Sequence, residues 1–371
     1  MRGSVRTFWD RVSDGVGIEQ IWAQFHADAR ASYQLYAQEV DWTRQKGETG
    51  PRRFFRVVRG LFWAMMVKLS PGRRILFLAS LVFLVFPGFR VRSGDAEFQM
   101  PNLAFFGALG LLALLALELA DRVTMKRDLE IAREIQNWLM PSAPPRVPGV
   151  DIAFATRPAN TVAGDYYDAF FRGDRLLLVV ADVAGKSVPA ALLMATLQAS
   201  LRTLAAIPGS LLELAQRLNR YTCAQNPGGH RFTTAFLAEL DPATGSLAYV
   251  NAGHNWPVLR HVSGVIERLE TGGLPLGIRA EVPYECGNTR LGGGDLLLIF
   301  TDGLAEAEDA HAQEYGEPRV LEMVRGLAEG SAAEALKRIM GSVDAFVGAT
   351  RQHDDMTCLV VRRLAAAGAP G

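Results

Sequence analysis

Four aspartates stand where apolar strand sequence gives way to turn sequence. They are Asp165 in Val-Ala-Gly-Asp-Tyr-Tyr-Asp, Asp182 in Val-Ala-Asp-Val-Ala-Gly-Lys, Asp302 in Phe-Thr-Asp-Gly and Asp354 in His-Asp-Asp-Met-Thr. Leu176–Ala181 runs Leu-Leu-Leu-Val-Val-Ala into Asp182, and Leu296–Phe300 runs Leu-Leu-Leu-Ile-Phe into Thr301-Asp302. A carboxylate at the mouth of a buried strand is costly to desolvate unless something offsets its charge. A hard divalent cation does so, because several carboxylates and waters make an octahedral oxygen site for Mg²⁺ or Mn²⁺. Two such ions, about 3.5–4 Å apart, can share and acidify a water and clamp a phosphoryl group during in-line attack. Gly164, Gly185 and Gly303, beside three of the aspartates, permit tight turns and close approach of a ligand to the backbone. A turn or helix cap is the ordinary explanation of one such aspartate, but four at strand ends in one domain point to a shared site.

The elements that must position these groups follow from period and punctuation. Asp151–Arg157, Arg175–Val183, Phe232–Leu240, Ser246–Asn251, Asp295–Thr301 and Met356–Arg362 read as strands. Asp-Pro-Ala-Thr-Gly at 241–245 reads as a hairpin connection. Helices fit at 188–206, 211–225, 317–328 and 332–346. Strands joined by hairpins, with helices inserted in groups, predict an α+β domain rather than a doubly wound α/β one. Pro141, Pro144, Pro145 and Pro148 stop the preceding helical pattern and set a domain boundary.

The N-terminal part has a different texture. Residues 18–40 show helical spacing (Ile18, Ile21, Trp22, Phe25, Tyr33, Tyr36, Val40). Residues 44–74 hold nine Lys/Arg against one acid, interleaved with aromatic residues, which fits an interfacial helix on anionic lipid or a solvated basic face. Ile75–Phe89 and Phe98–Leu117 carry no charge, and read either as a membrane hairpin or as two buried core helices. Basic residues lie before the first run and after the second (Arg122, Lys126, Arg127), which would put both ends in the cytoplasm and make the chain a multi-pass inner-membrane protein. Residues 121–140 form a linker helix whose Met125, Leu129, Ala132, Ile135 and Leu139 either pair two chains into a homodimer or pack on the next domain. The expected division is 1–74 basic helical region, 75–120 membrane hairpin, 121–148 linker, 149–363 catalytic domain and 364–371 tail.

From about residue 131 to 363 the sequence resembles the PPM-type (protein phosphatase type 2C-like) domain, in its bacterial SpoIIE/RsbU-like branch. The matching stretches, in order, are Glu134–Pro141, Val162–Asp168, Asp182–Met194, Asn251-Ala-Gly-His254, Leu274-Pro-Leu-Gly277, Thr301-Asp-Gly303 and Asp354-Asp-Met-Thr357. The resemblance implies a β-sandwich of two antiparallel sheets flanked by helices, with two Mn²⁺ or Mg²⁺ ions at one end. It implies that Asp165 and Asp182 ligate or bridge the metals with help from the Val183 carbonyl, that Asp302 and Asp354 complete the site, and that Asp355 is a further candidate ligand. The implied activity is hydrolysis of phosphoserine or phosphothreonine on a regulatory protein of the anti-sigma-factor-antagonist (STAS) type; a catalytically silent signalling module is the alternative. Two family positions differ here. Ala184 stands where eukaryotic relatives place a His, and Pro158–Thr161 contains no phosphate-binding Arg. His254 is open to a catalytic or a strand-closing role, Lys186 to phosphate contact or helix capping, and Asp168 to supporting the metal acids or lying at a strand edge.

Bulk properties exclude other classes. Formal net charge is zero, which offers no global field for nucleic acid. Cys223, Cys286 and Cys358 are too scattered for a disulfide framework or a thiolate metal site. Two uncharged apolar runs do not make a transporter.

Overall fold

The computed structural model describes residues 59–60, 62–63, 66–86, 90–93, 96–99, 103–226, 231–327 and 330–365. The helix expected at 18–40 and the first half of the basic stretch lie outside the described residues. The chain divides into two compact units, Met1–Val123 and Thr124–Gly371.

In the first unit, helix α1 (Pro71–Val85) is followed by a two-stranded hairpin, β1 (Arg90–Ser93) with β2 (Ala96–Gln99), and then by helix α2, which begins at Leu103 and runs unbroken to Leu139. The linker expected at 121–140 is therefore the second half of α2, ended by Pro141. The two helices meet at small residues. A Cβ on Gly107 would lie 2.7 Å from the Ser80 carbonyl oxygen, and one on Gly110 would lie 2.2 Å from Ser80 Oγ. Ser80 itself is buried and returns its hydroxyl to the Leu76 carbonyl. Close approach through Gly and Ser is how apolar helices pack where burial of side chains from water supplies little drive. Elsewhere these helices expose Ile75, Val82, Val85, Phe105, Leu112 and Leu115.

α2 is long and apolar enough to cross a membrane, but α1, at 15 residues, rises roughly 22 Å and falls short of a bilayer core of about 30 Å. The other helix that passes the same test, Val188–Ala205, is a core helix of the second unit, with Ala190, Met194, Leu197 and Leu201 buried. The helices thus give a hint of membrane association, and a multi-pass placement does not follow from them.

The second unit is a sandwich in four layers. Its elements are β3 (Val150–Arg157), β4 (Tyr166–Arg172), β5 (Arg175–Val183), α3 (Val188–Ala205), α4 (Leu211–Gln225), β6 (Thr233–Leu240), β7 (Ser246–Ala252), β8 (Val258–Arg260), β9 (Ile266–Arg268), β10 (Gly272–Gly273), β11 (Gly287–Arg290), β12 (Leu296–Phe300), α5 (Asp302–Ala305), α6 (Glu317–Arg325), α7 (Ala332–Val347) and β13 (Met356–Arg363). One sheet runs β10-β7-β6-β5-β4 with β11 also on β7; the other runs β3-β13-β12-β8-β9. Among the described strands all pairings are antiparallel except the two-residue β10 on β7, and an isolated parallel bridge joins Ala235 to Gly253.

Strand period two sorts the core. On β5, Leu176, Leu178 and Val180 enter the layer between the sheets together with Leu297, Ile299, Leu359 and Val361. The alternate residues, Leu177, Val179, Ala181 and Val183, pack under α3 and α4. On the far side, Leu296, Leu298, Phe300, Cys358 and Val360 pack under α5, α6 and α7. Cys358 is thus an ordinary small core residue.

Candidate active site

Parity decides where the acids go. Asp182 continues the series Leu176, Leu178, Val180 and so faces the cleft between the sheets. In the β4–β5 ladder Tyr166 pairs with Ala181 and Tyr167 with Val180. Continuing the ladder one step puts Asp165 opposite Asp182, on the face that also carries Tyr167 and Ala169. From the other sheet, Phe300 pairs with Cys358, which brings Thr301-Asp302 beside the Asp354–Thr357 segment at the same end.

The second sheet grips the first through hydroxyls. Thr301 Oγ1 donates to Asp165 Oδ2 at 2.9 Å and accepts from the Thr357 amide at 2.9 Å. The Thr357 hydroxyl lies 2.9 Å from that of Thr156 on β3. Gly303 is required by approach. A Cβ there would stand 2.1 Å from the Asp355 carbonyl oxygen, so no side chain fits while the 354–355 segment lies against α5. The Val183 carbonyl faces Gly164, next to Asp165.

These carboxylates are crowded. Burial first, and then the charge of Asp182, holds Asp165 well above the usual carboxylate range; it is 1% exposed. Burial and the neighbouring Asp302, Asp354 and Asp355 push Asp182 up to about 7. Burial and Asp354 also raise Asp302, and burial and Asp302 raise Glu306. The counter-charge in direct contact is Lys186, whose Nζ is 3.0 Å from Asp354 Oδ2 and 2.9 Å from the His353 carbonyl. A set of like charges drawn together at one end of a sandwich, short of positive charge, is the donor set a small hard cation fits. Among the described residues no three His, Cys, Asp or Glu side chains close into a ready-made cage. Mg²⁺-like ions typically keep several waters and use only one or two carboxylates, so an open arrangement is compatible with them.

Three residues singled out in the sequence have other surroundings. Both oxygens of Asp355 accept backbone amides, from Ala159 at 2.7 Å and Gly164 at 2.6 Å, so this side chain ties the β3–β4 connection to the site. Asp168 lies on the opposite face of β4, where it accepts Arg202 Nε and Nη2 at 2.8 Å each and the Tyr166 hydroxyl at 2.7 Å. It braces α3 rather than the clustered acids. His254 is 4% exposed, places Nδ1 3.0 Å from Thr234 Oγ1, and leaves Nε2 buried without a hydrogen bond. Burial holds its ring down at about 4, so it is neutral near pH 7 and ill suited to donate a proton. His254 also lines a polar cavity of about 480 Å³ beside Asp302, with Trp256, Arg268, Glu306 and Glu317. Arg157, at the end of β3 just before the upstream connection, is committed to Asp344, at 2.5 and 3.1 Å.

The role of Thr301 and Thr357 was not legible in the sequence. Thr301 directly before Asp302, and Thr357 three residues after Asp354, were the available signals. Asn251 is likewise structural, closing its own turn by accepting the His254 amide at 2.7 Å and donating to the His254 carbonyl at 3.0 Å.

The sandwich and its acid-lined end define a PP2C-like phosphatase fold. Residues 172–364 match the family model of stage II sporulation protein E (SpoIIE). The chain is 29% identical over 241 residues to phosphoserine phosphatase RsbU of Bacillus subtilis, covering 64% of this chain and 71% of RsbU. It is 27% identical over 283 residues to protein IcfG of Synechocystis, covering 67% of this chain but only 43% of IcfG. The crystal structure of the RsbU and RsbW domains of Rv1364c from Mycobacterium tuberculosis superposes with a TM-score of 0.53 at 30% identity, covering 62% of this chain and 64% of that one. The chain belongs to the SpoIIE family, and its second unit is a PP2C-type phosphatase domain.

Proposed function

We propose that this chain is a metal-dependent protein serine/threonine phosphatase acting on a phosphorylated regulatory protein, of the anti-sigma-factor-antagonist (STAS) type, at a membrane. The observation that carries the reading is the opposition of Asp165 and Asp182 across the β4–β5 ladder, with Asp302 and Asp354 delivered to the same end by the other sheet. Asp165, Asp182, the Val183 carbonyl, Asp302 and Asp354 would hold two divalent ions, Mn²⁺ or Mg²⁺. Bound there, such ions supply an acidified water and neutralise the phosphoryl charge. The protein's own contribution is placement. Thr301 and Thr357 fix the Asp165 carboxylate, Asp355 fixes the loop before it, and Gly303 admits the 354–355 segment. Positioning of this kind carries most of the catalysis in phosphoryl transfer.

The substrate class is supported by likeness to a phosphoserine phosphatase and to a chain that joins RsbU and RsbW domains. Membrane attachment is supported by the apolar first half of α2 packed on α1, with the basic flanks on the cytoplasmic side. A homodimer is supported by the exposed Ile131, Ile135 and Trp138 on the second half of α2; Leu129, Ala132 and Leu139 are instead half-buried.

Hydrolysis of para-nitrophenyl phosphate by the full chain in detergent, with Mn²⁺ and with EDTA, tests the reading. Manganese-dependent turnover that Asp182→Asn abolishes is the expected result. A folded protein that binds manganese and shows no turnover on this ester or on a phosphoserine protein would leave a silent signalling module instead.

A further inference from the structure

The site as described gathers Asp165, Asp182, Asp302, Asp354 and Asp355, with Glu306 nearby, and a phosphoryl dianion must approach it. Metal charge alone leaves the outer phosphoryl oxygens without donors, and the residue that would supply them upstream of Asp165 is missing. Arg157, on the strand before that connection, has its guanidinium occupied by Asp344.

Positive charge comes instead from the turn after β5. Lys186 is 57% exposed on a flexible stem, and it bonds Asp354, which is itself 38% exposed, rather than any of the deeper acids. Beside it, Ala184 donates to the Phe232 carbonyl at 2.9 Å, which lays the segment before β6 along the turn. That contact carries Arg231 to the turn, at the edge of a groove that it lines with Leu193, Thr196 and Tyr221 of α3 and α4. Its Nη1 stands 3.9 Å from where a Cβ on Gly185 would be. Gly185 has φ +120, so the turn exposes its backbone rather than a side chain under the guanidinium. Among the described residues the Arg231 side chain has no acidic partner, whereas Arg172, Arg202 and Arg268 are each paired with an acid. The same turn opens α3, whose N-terminal dipole adds to the positive field.

We propose that Lys186 and Arg231 form the phosphoryl-binding cation pair of this site. Arg231 offers a planar fork to two phosphoryl oxygens, and Lys186 exchanges its Asp354 contact for a third once Asp354 is neutralised by a cation. The pair stands in for the arginine absent from Pro158–Thr161. It rests on the phosphatase reading for its role in turnover, but not for its capacity to bind phosphate.

The test is calorimetric titration of inorganic phosphate into the full chain with Mn²⁺, for wild type, Lys186→Gln, Arg231→Gln and the distant exposed control Lys337→Gln, alongside kcat and KM on para-nitrophenyl phosphate. Loss of one charge-assisted contact should weaken phosphate binding about tenfold in either site variant. KM should rise in parallel, with kcat within about threefold and manganese binding undiminished. Unchanged phosphate affinity in both site variants overturns the proposal, as does an equal loss in Lys337→Gln, which would make the effect a general surface field. Weakened manganese binding with unaltered phosphate binding in Lys186→Gln would reduce that residue to a support for Asp354, and also overturns it. If wild type binds phosphate through the pair but hydrolyses no ester, the phosphatase reading fails and the anion site stands.

Discussion

Strand β4 and the residue before it carry two buried aspartates three positions apart, and their surroundings differ in kind. Asp168, on the face toward α3, is fully enclosed and fully partnered: a two-point contact with Arg202, the Tyr166 hydroxyl, its neighbour's amide, and Phe170 stacked under the same guanidinium at 3.8 Å. Asp165, on the face toward the other sheet, meets hydroxyls and more carboxylates. Burial does not distinguish the two; the completeness of the partner set does. An aspartate whose charge is answered within the fold belongs to the architecture. One left among like charges needs something from outside the chain.

Four experiments would break or sharpen that contrast. The largest effect is expected from Asp165→Asn. Turnover should fall by more than the roughly 10–100-fold usual for residues that merely support metal ligands. The melting temperature of the metal-free protein should hold or rise, because a poorly compensated charge is removed. A large loss of stability would mean that Asp165 is as structural as Asp168. Next, Gly303→Ala should displace the Asp355 backbone and lower kcat/KM by about 100-fold, the scale of a 1 Å misplacement, without touching any acid. An alanine variant with full activity would show that the 354–355 segment need not lie against α5. Asp168→Ala should reverse the pattern. Denaturant unfolding should show a loss of about 3 kcal/mol as Arg202 and Tyr166 lose their acceptor, with manganese affinity unchanged in the protein that remains folded.

The smallest effect concerns a third kind of pairing, remote from the cleft. His261 holds Asp295 at 2.8 Å and Glu267 at 3.3 Å. Burial works against the charged ring, but the two carboxylates outweigh it and raise its pKa. The folded state therefore binds this proton more tightly than the unfolded one. Its stabilisation is complete below the ordinary imidazole value of about 6.5 and is lost as pH rises through the raised value. The melting temperature should fall slightly over that interval, by less than about 1 kcal/mol of stability, and His261→Gln should flatten the dependence.

Much of this was visible in the sequence. Leu176–Ala181 of β5 and the whole of β12 are uninterrupted apolar runs buried on both faces, and all four helices of nine or more residues after Pro148 declared their periods. β4 was hidden because its aromatic residues come in adjacent pairs split by Asp168, and only the tertiary contact with Arg202 explains a charge there. β8 to β11, none longer than four residues, depend on register with their neighbours rather than on local propensity. In the site, the residue types were legible but the division of labour was not. Asp354 and Asp355 are adjacent in sequence, yet one meets Lys186 and the other two backbone amides. Ile135 belonged to the helical stripe at 125–139, yet it faces outward with Trp138 while Gln136 is buried against both polar groups of the Ala163 backbone, at 2.7 and 2.9 Å.

The β4–β5 hairpin is also a ruler. Asp165 and Asp182 meet because equal lengths of strand separate each from the turn at Gly173-Asp174. Adding or deleting one residue between Leu176 and Asp182 would turn that carboxylate toward the helices while leaving its identity intact. A two-residue change would restore the direction but move the acid along the strand by about 7 Å. Length within this segment is therefore as much a functional constraint as composition. Drift by insertion should be tolerated at the turn and rejected between the turn and the acids, even where every substitution is conservative.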